Sequence, residues 1–262
     1  MNQRLNVMIV VFALAGMLAV LFITMPLAST LFFSPLVSLL NVLADREVQS
    51  SIQLTFYSAL IAVVFGLFTG VPLAYILAKK AFFGRQWVLA LINIPIIIPH
   101  TAAGVALLLV FGRRGLLGQW LAPLGITFTD NLGGIVVAMI FVSIPFLINA
   151  SREAFAMINQ EYEQAAFADG ATPWQVFCRI TIPLSWRGIL AGALLMWARG
   201  VSEFGAVVIL AYHPKIVPVL VYERFQGFGL AAAQPVAALL IIISLIAFGL
   251  LNLALLPRRN GG

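Results

Sequence analysis

Residues 161–184 read EYEQAAFADGATPWQVFCRITIPL, a polar and acidic stretch inside a chain that is otherwise mostly hydrocarbon. Asn159 stands where a helix N-cap belongs, and Glu161 and Glu163 then fall in the first turn, where negative charge suits the positive helix end. Gly170 closes that helix in the usual manner of a C-terminal glycine. Thr172-Pro173-Trp174-Gln175 starts another, with Thr as cap, Pro at the first helical position and Gln three residues after the Thr. The spacing therefore predicts two short helices meeting at a sharp corner. Ala165 and Ala166 leave part of the first helix without side-chain bulk, so that another backbone can approach it.

The residues on either side explain why such a stretch stands out. The chain has 262 residues, of which 62% are hydrophobic and 9% charged, with a mean hydropathy of +1.06. A soluble domain carries about 25% charged residues, so the solvent for this chain is a lipid bilayer. Six apolar runs approach the ~20 residues that a helix needs to cross the hydrocarbon core, near 6–29, 52–78, 87–111, 132–150, 187–211 and 235–256. None alternates as a barrel strand does, and a helix satisfies its own backbone in lipid. The expectation is an all-α, six-span membrane protein, residues 1–262 forming one transmembrane domain. Val7 to Ile23 contains no polar residue, longer than the core of a secretion signal, so the first run reads as a retained span.

Lys and Arg placement sets the orientation. With the N-terminus inside, Arg4, Lys79, Lys80, Arg85, Arg152, Arg179, Arg187, Arg258 and Arg259 face the cytoplasm. Arg46, Arg113, Arg114, Lys215 and Arg224 face outward, and Arg199 lies within a span. Both termini are then cytoplasmic, as an even number of crossings requires, and the opening stretch falls in the cytoplasmic connection 151–186. The net charge of +6 describes a membrane rim, not a nucleic-acid surface.

Several chemistries are excluded by what the chain lacks. No Gly-Lys pair offers a phosphate-cradling loop, and neither G-x-S-x-G nor H-E-x-x-H occurs. The single cysteine, Cys178, cannot pair internally, and no Cys/His cluster has metal-ligand spacing. No catalytic residue and no metal site is expected.

The string Glu163-Gln164-Ala165-Ala166, followed by Gly170-Ala171 and then Ile180, Ile182 and Pro183, resembles the EAA loop of ABC-transporter inner-membrane permeases. Gln164 and Ile182 depart mildly from the family pattern. The resemblance implies that this loop is a coupling helix docking on a separate cytoplasmic ATPase, with Glu163, Ala165, Ala166, Asp169, Gly170 and Ala171 as coupling residues. It also implies a type I importer permease fold. PIIIPHTAAGVALL (95–108) and WARGVSEFGAVVILAY (197–212) are similar to the sulfate, molybdate and tungstate branch, most of all to archaeal-type molybdate/tungstate permeases. In that branch two permease copies pair around one pathway above two ATPase copies, and an external binding protein delivers the oxyanion. ATP and magnesium are then bound by the ATPase, and no cofactor by this chain.

These two segments also carry a reading of their own. On straight helices His100 lies about 21 Å along the third span, and Arg199 and Glu203 about 12 and 16 residues along the fifth, so that all three sit near mid-bilayer. Ionisable groups there face a cavity, a partner or a pathway. Arg199 and Glu203 are four apart and can pair, as a structural brace or as a gate; His100 is a packing residue or lines the pathway. Pro95 and Pro99 kink the third span, and Thr101, Ser202 and Phe204 complete the set of pathway candidates. Gly104, Gly200 and Gly205 permit close helix contact. The outer loops 30–51, 112–131 and 212–234 are candidate contacts for a delivery protein, with Tyr212, Tyr222, Glu223 and Arg224 as anchors. Competing readings are a permease for another oxyanion such as sulfate, an ion-gradient-driven transporter using Glu203 and His100, and a membrane protein that does not transport.

Overall fold

The computed structural model describes residues 2–255, with side chains from Met8 to Gly249. Arg4, Arg258 and Arg259, which entered the charge count, lie outside the described side chains. No strand occurs among the described residues. In chain order the helices are α1 (Asn2–Phe32), α2 (Leu36–Ala44), α3 (Arg46–Lys79), α4 (Arg85–Ile97), α5 (His100–Phe111), α6 (Gly118–Leu121) and α7 (Leu132–Ala156). There follow α8 (Gln160–Ala168), α9 (Pro173–Val176), α10 (Ile182–Val201), α11 (Gly205–Leu210), α12 (Val217–Phe228) and α13 (Leu230–Leu255). Five helices, or six when α4 and α5 are taken as one broken span, are long and apolar enough to cross a membrane.

The chain divides into two compact units. The first comprises Met1–Ser50 and Leu220–Ala254. Along its first helix, Met8–Phe32 is apolar on every side, which suits a helix solvated by lipid. The hydroxyls of Thr24 and Thr30 donate to carbonyls one turn back, Val20 O at 2.8 Å and Pro26 O at 2.9 Å. α2 and α12 are helices where the sequence reading expected loops. Arg224 Nη2 on α12 holds Asp45 Oδ2 at 2.6 Å and Glu47 Oε2 at 3.6 Å.

The second unit, Ser51–Val219, is built on α7 and α10. Their contact line is made of small residues: Gly188 and Gly192 of α10 face Ala154 and Ala150 of α7. A methyl group placed on Gly192 would stand 2.9 Å from Ala150 Cβ, and one on Gly188 would collide with Ala154 Cβ. Apolar association gains nothing extra in lipid, so close approach of backbones supplies the packing energy. Asn93 of α4 accepts a 2.7 Å hydrogen bond from the Asn149 amide of α7, a polar tie between spans.

Two expectations of straight helices are corrected here. The third run is not a kinked span but α4 and α5 bent by 115° about Ile98 and Pro99. A residue before proline is driven out of the helical region, and Ile98 is extended at φ −70°, ψ 145°. Pro95, by contrast, is buried within α4 without ending it. The fifth run ends at Val201, breaks over Ser202–Phe204, and resumes as α11. Depths counted along continuous helices therefore do not hold for His100, and Glu203 lies in a break instead of on a helix.

Candidate functional site

The corner at 159–184 forms as its local signals dictate. Asn159 Oδ1 accepts from the Glu161 N–H at 3.1 Å. At the far end of α8, Gly170 takes φ +82°, its N–H donates to Phe167 O at 3.0 Å, and the Ala171 N–H donates to Ala166 O at 2.9 Å. This pair of bonds is the Schellman closure, which uses the helix's last free carbonyls. Thr172 and Gln175 form a reciprocal capping box: the Thr172 N–H donates to Gln175 Oε1 at 2.8 Å, and the Gln175 N–H to Thr172 Oγ1 at 3.3 Å. A short helix with both ends satisfied transmits displacement where a loose loop would absorb it.

Between α9 and α10 lies a π-helical turn, Phe177–Thr181, whose end is marked by the Ile182 N–H donating to Phe177 O. Pro183 follows, and its ring would clash with the carbonyl four residues back in a regular helix; the wider turn relieves that clash. The result is one continuous helix over Pro173–Val201. Beneath the corner, Tyr75 of α3 packs edge-on against Phe155 of α7 at 5.6 Å and Phe177 at 4.9 Å, and Trp174 lies 5.7 Å from Phe177.

The six coupling residues do not share one face. Ala165, Asp169 and Gly170 are exposed, while Ala166 and Ala171 are half-buried. Glu163 turns inward. Its Oε2 lies 3.1 Å from Lys79 Nζ at the end of α3, with the two side chains 13% and 10% exposed. Its Oε1 accepts from Thr181 Oγ1 at 2.9 Å. The exposed surface beside it carries Tyr162, Phe167 and Trp174, large apolar groups of the kind that anchor an interface. An open recess of about 370 Å³ sits at the elbow between Asp169, Gly170, Gln175 and Arg179.

The two helix breaks face each other and form the second constellation. A methyl on Gly205 would stand 2.7 Å from His100 Cβ, and one on Gly104 would stand 2.7 Å from Ile209 Cβ, so α5 and α11 touch through these glycines. Gly200 makes only ordinary contact with Ala59. Arg199 Nη2 donates to Glu203 Oε2 at 2.7 Å and lies 2.8 Å from His100 Nε2, while Nη1 lies 3.3 Å from Ser202 Oγ. Glu203 is wholly buried, and its second oxygen accepts from the Ala206 N–H at 2.7 Å, capping α11. His100, Thr101, Arg199, Ser202, Glu203, Phe204 and Gly205 line one recess of about 410 Å³. Six of the eight pathway candidates thus come together from sites a hundred residues apart; Pro99 makes the break without lining the recess, and Pro95 lies within α4 away from it.

Residues 70–258 match the model of the binding-protein-dependent transport system inner membrane component family. The chain belongs to this family. It is 36% identical over 261 residues to the molybdate/tungstate transport system permease protein of Thermococcus kodakarensis, covering 98% of this chain and 100% of that one. Its identity to the Pyrococcus furiosus protein of the same description is 38% over 251 residues, covering 95% and 96%. The sulfate transport system permease protein of Escherichia coli is 33% identical over 216 residues, covering 81% and 78%. A bacterial ABC transporter involved in import of the polysaccharide alginate has the same fold, with a TM-score of 0.77 at 17% identity over 99% of this chain and 98% of that one. The MetNI methionine ABC transporter gives 0.61 at 19%, over 79% and 92%.

In this inner-membrane permease, sequence reasoning placed the caps correctly but missed the partners. Lys79 gave no local sign of a role beyond terminal positive charge, and Thr181 none at all. The α7–α10 contact was legible in principle as Ala150-x-x-x-Ala154 and Gly188-x-x-x-Gly192, a small-x-x-x-small pattern on two spans. Arg224, read as an anchor for a delivery protein, is held by Asp45 and Glu47.

Proposed function

We propose that this chain is the pathway-forming subunit of an ATP-driven importer for molybdate or tungstate. Two copies line the route, two copies of a separate ATPase bind ATP and magnesium on the cytoplasmic side, and an external binding protein delivers the oxyanion. The observation that carries the substrate class is the full-length likeness to molybdate/tungstate permeases at 36% and 38% identity. The capped corner at 159–184 is the handle gripped by the ATPase, with both chain termini on the same side of the membrane. The facing breaks at Ile98–Pro99 and Ser202–Phe204 are the places where the third and fifth spans change direction during alternating access. In this scheme Glu203 braces the break through Arg199, and the exposed part of the recess belongs to the pathway.

Reconstitution of the permease with its ATPase and delivery protein tests the reading. Molybdate or tungstate should stimulate ATP hydrolysis and be taken up, and sulfate should do so more weakly. Preference for sulfate would move the protein to the sulfate permeases, which it resembles at 33% identity. Full-speed uptake by the permease alone, driven by an ion gradient, would overturn the proposal.

A further inference from the structure

We infer that Glu163 is a positioning residue within this chain, a latch that ties the corner helix to two membrane helices at once, and not a contact with the ATPase. The inference rests on the reading of the corner as the ATPase handle. α8 has nine residues and buries none of them fully, and isolated helices of this length are marginal in water. Its caps close its ends but fix it to nothing. Glu163, together with the half-buried Ala166 one turn on, forms the inward side of the helix.

The carboxylate divides its two oxygens between two elements. One oxygen faces Lys79 at the end of α3, and the other accepts from Thr181 in the π turn that leads into α10. Lys79 and Glu163 are about nine-tenths buried and Thr181 is wholly so, so the link is poorly screened by solvent. The π turn takes part in this arrangement because it places the Thr181 hydroxyl, and α10 runs without interruption from there to Arg199. A push on α8 therefore reaches the helix that carries the Arg199–Glu203 pair through a charge-assisted bond, whereas the exposed Tyr162, Phe167 and Trp174 remain free to meet a partner.

Four proteins decide the matter: wild type, Glu163→Gln, Lys79→Gln, and the exchanged pair Lys79→Glu with Glu163→Lys. Each is assembled with the ATPase and compared by co-purification, by hydrogen exchange of the amides of 160–168, and by molybdate transported per ATP hydrolysed. Both single variants should retain the ATPase while amide exchange rises and coupling falls by about tenfold, as expected for loss of one charge-assisted hydrogen bond. The exchanged pair should recover most of both. Loss of the ATPase from Glu163→Gln alone, with Lys79→Gln behaving as wild type and no recovery in the exchanged pair, would make Glu163 a docking contact and overturn the latch. If the wild-type assembly transports no molybdate, the functional reading falls, while the exchange and co-purification data still decide the latch.

Discussion

Glu203 shows how a charge is tolerated inside this protein. A buried carboxylate costs several kcal/mol unless its oxygens are occupied, and here the Arg199 guanidinium and the Ala206 N–H take one oxygen each. Glu203→Gln keeps the α11 cap but leaves Arg199 uncompensated, and should destabilise the protein by about 3 kcal/mol. Arg199→Met combined with Glu203→Gln should be nearer to wild type, as followed by loss of helical signal in a detergent titration. If the double variant is stable yet fails in uptake, the pair acts in the pathway; if stable and active, it is a brace. Asp45 offers a second residue-scale test. The hydrogen bond from Arg224 holds its carboxyl below the usual value of 3.8. A depressed carboxylate contributes stability above its unfolded pKa and loses it as pH falls through the folded one. Asp45→Asn should therefore melt below wild type at neutral pH, and the difference should shrink as pH falls through the lowered pKa of the folded carboxyl.

At the scale of elements, end closure and surface smallness decide behaviour more than helix propensity does. Gly170 has open space where a side chain would go, so the obstacle to substitution is its φ of +82°. A Cβ there costs about 1–2 kcal/mol. Gly170→Val should loosen the Schellman closure and lower transport per ATP, leaving the membrane helices folded; unchanged coupling would show that the corner tolerates slack. Gly192 poses the opposite problem, since its backbone is ordinary and its space is filled. Gly192→Leu must displace Ala150 and the Leu147 backbone, and should separate α7 from α10, with a fall in thermal midpoint and in yield of folded protein. An unaltered midpoint would deny that this contact organises the second unit.

For the whole molecule, the cytoplasmic side proposed for the corner rests on charge placement and can be checked with the single cysteine. Cys178 lies in the π turn and is exposed. A membrane-impermeant maleimide should label it in inside-out vesicles and leave it unlabelled in intact cells. Labelling from outside would invert the topology and remove the corner from the ATPase's side.

What the amino-acid sequence determined was everything set by neighbours along the chain. The apolar runs, the caps of α8 and α9, the closure at Gly170 and the i, i+4 pair Arg199–Glu203 depend on residues within one or two turns. Helix geometry accounts for all of these but the last, which forms although Glu203 lies in the break after α10. The sequence also named the prolines but not their outcome: Pro95 sits buried in α4, while Pro99 turns the chain by 115°. The difference is one of surroundings: at the break after Pro99, His100 packs closely against Gly205 at the opposed break before α11. Only the tertiary structure brought Lys79 and Thr181 to Glu163, His100 to Arg199, and Arg224 to Asp45. Pairings across tens of residues leave no periodic trace, because their energy depends on three-dimensional distance and burial.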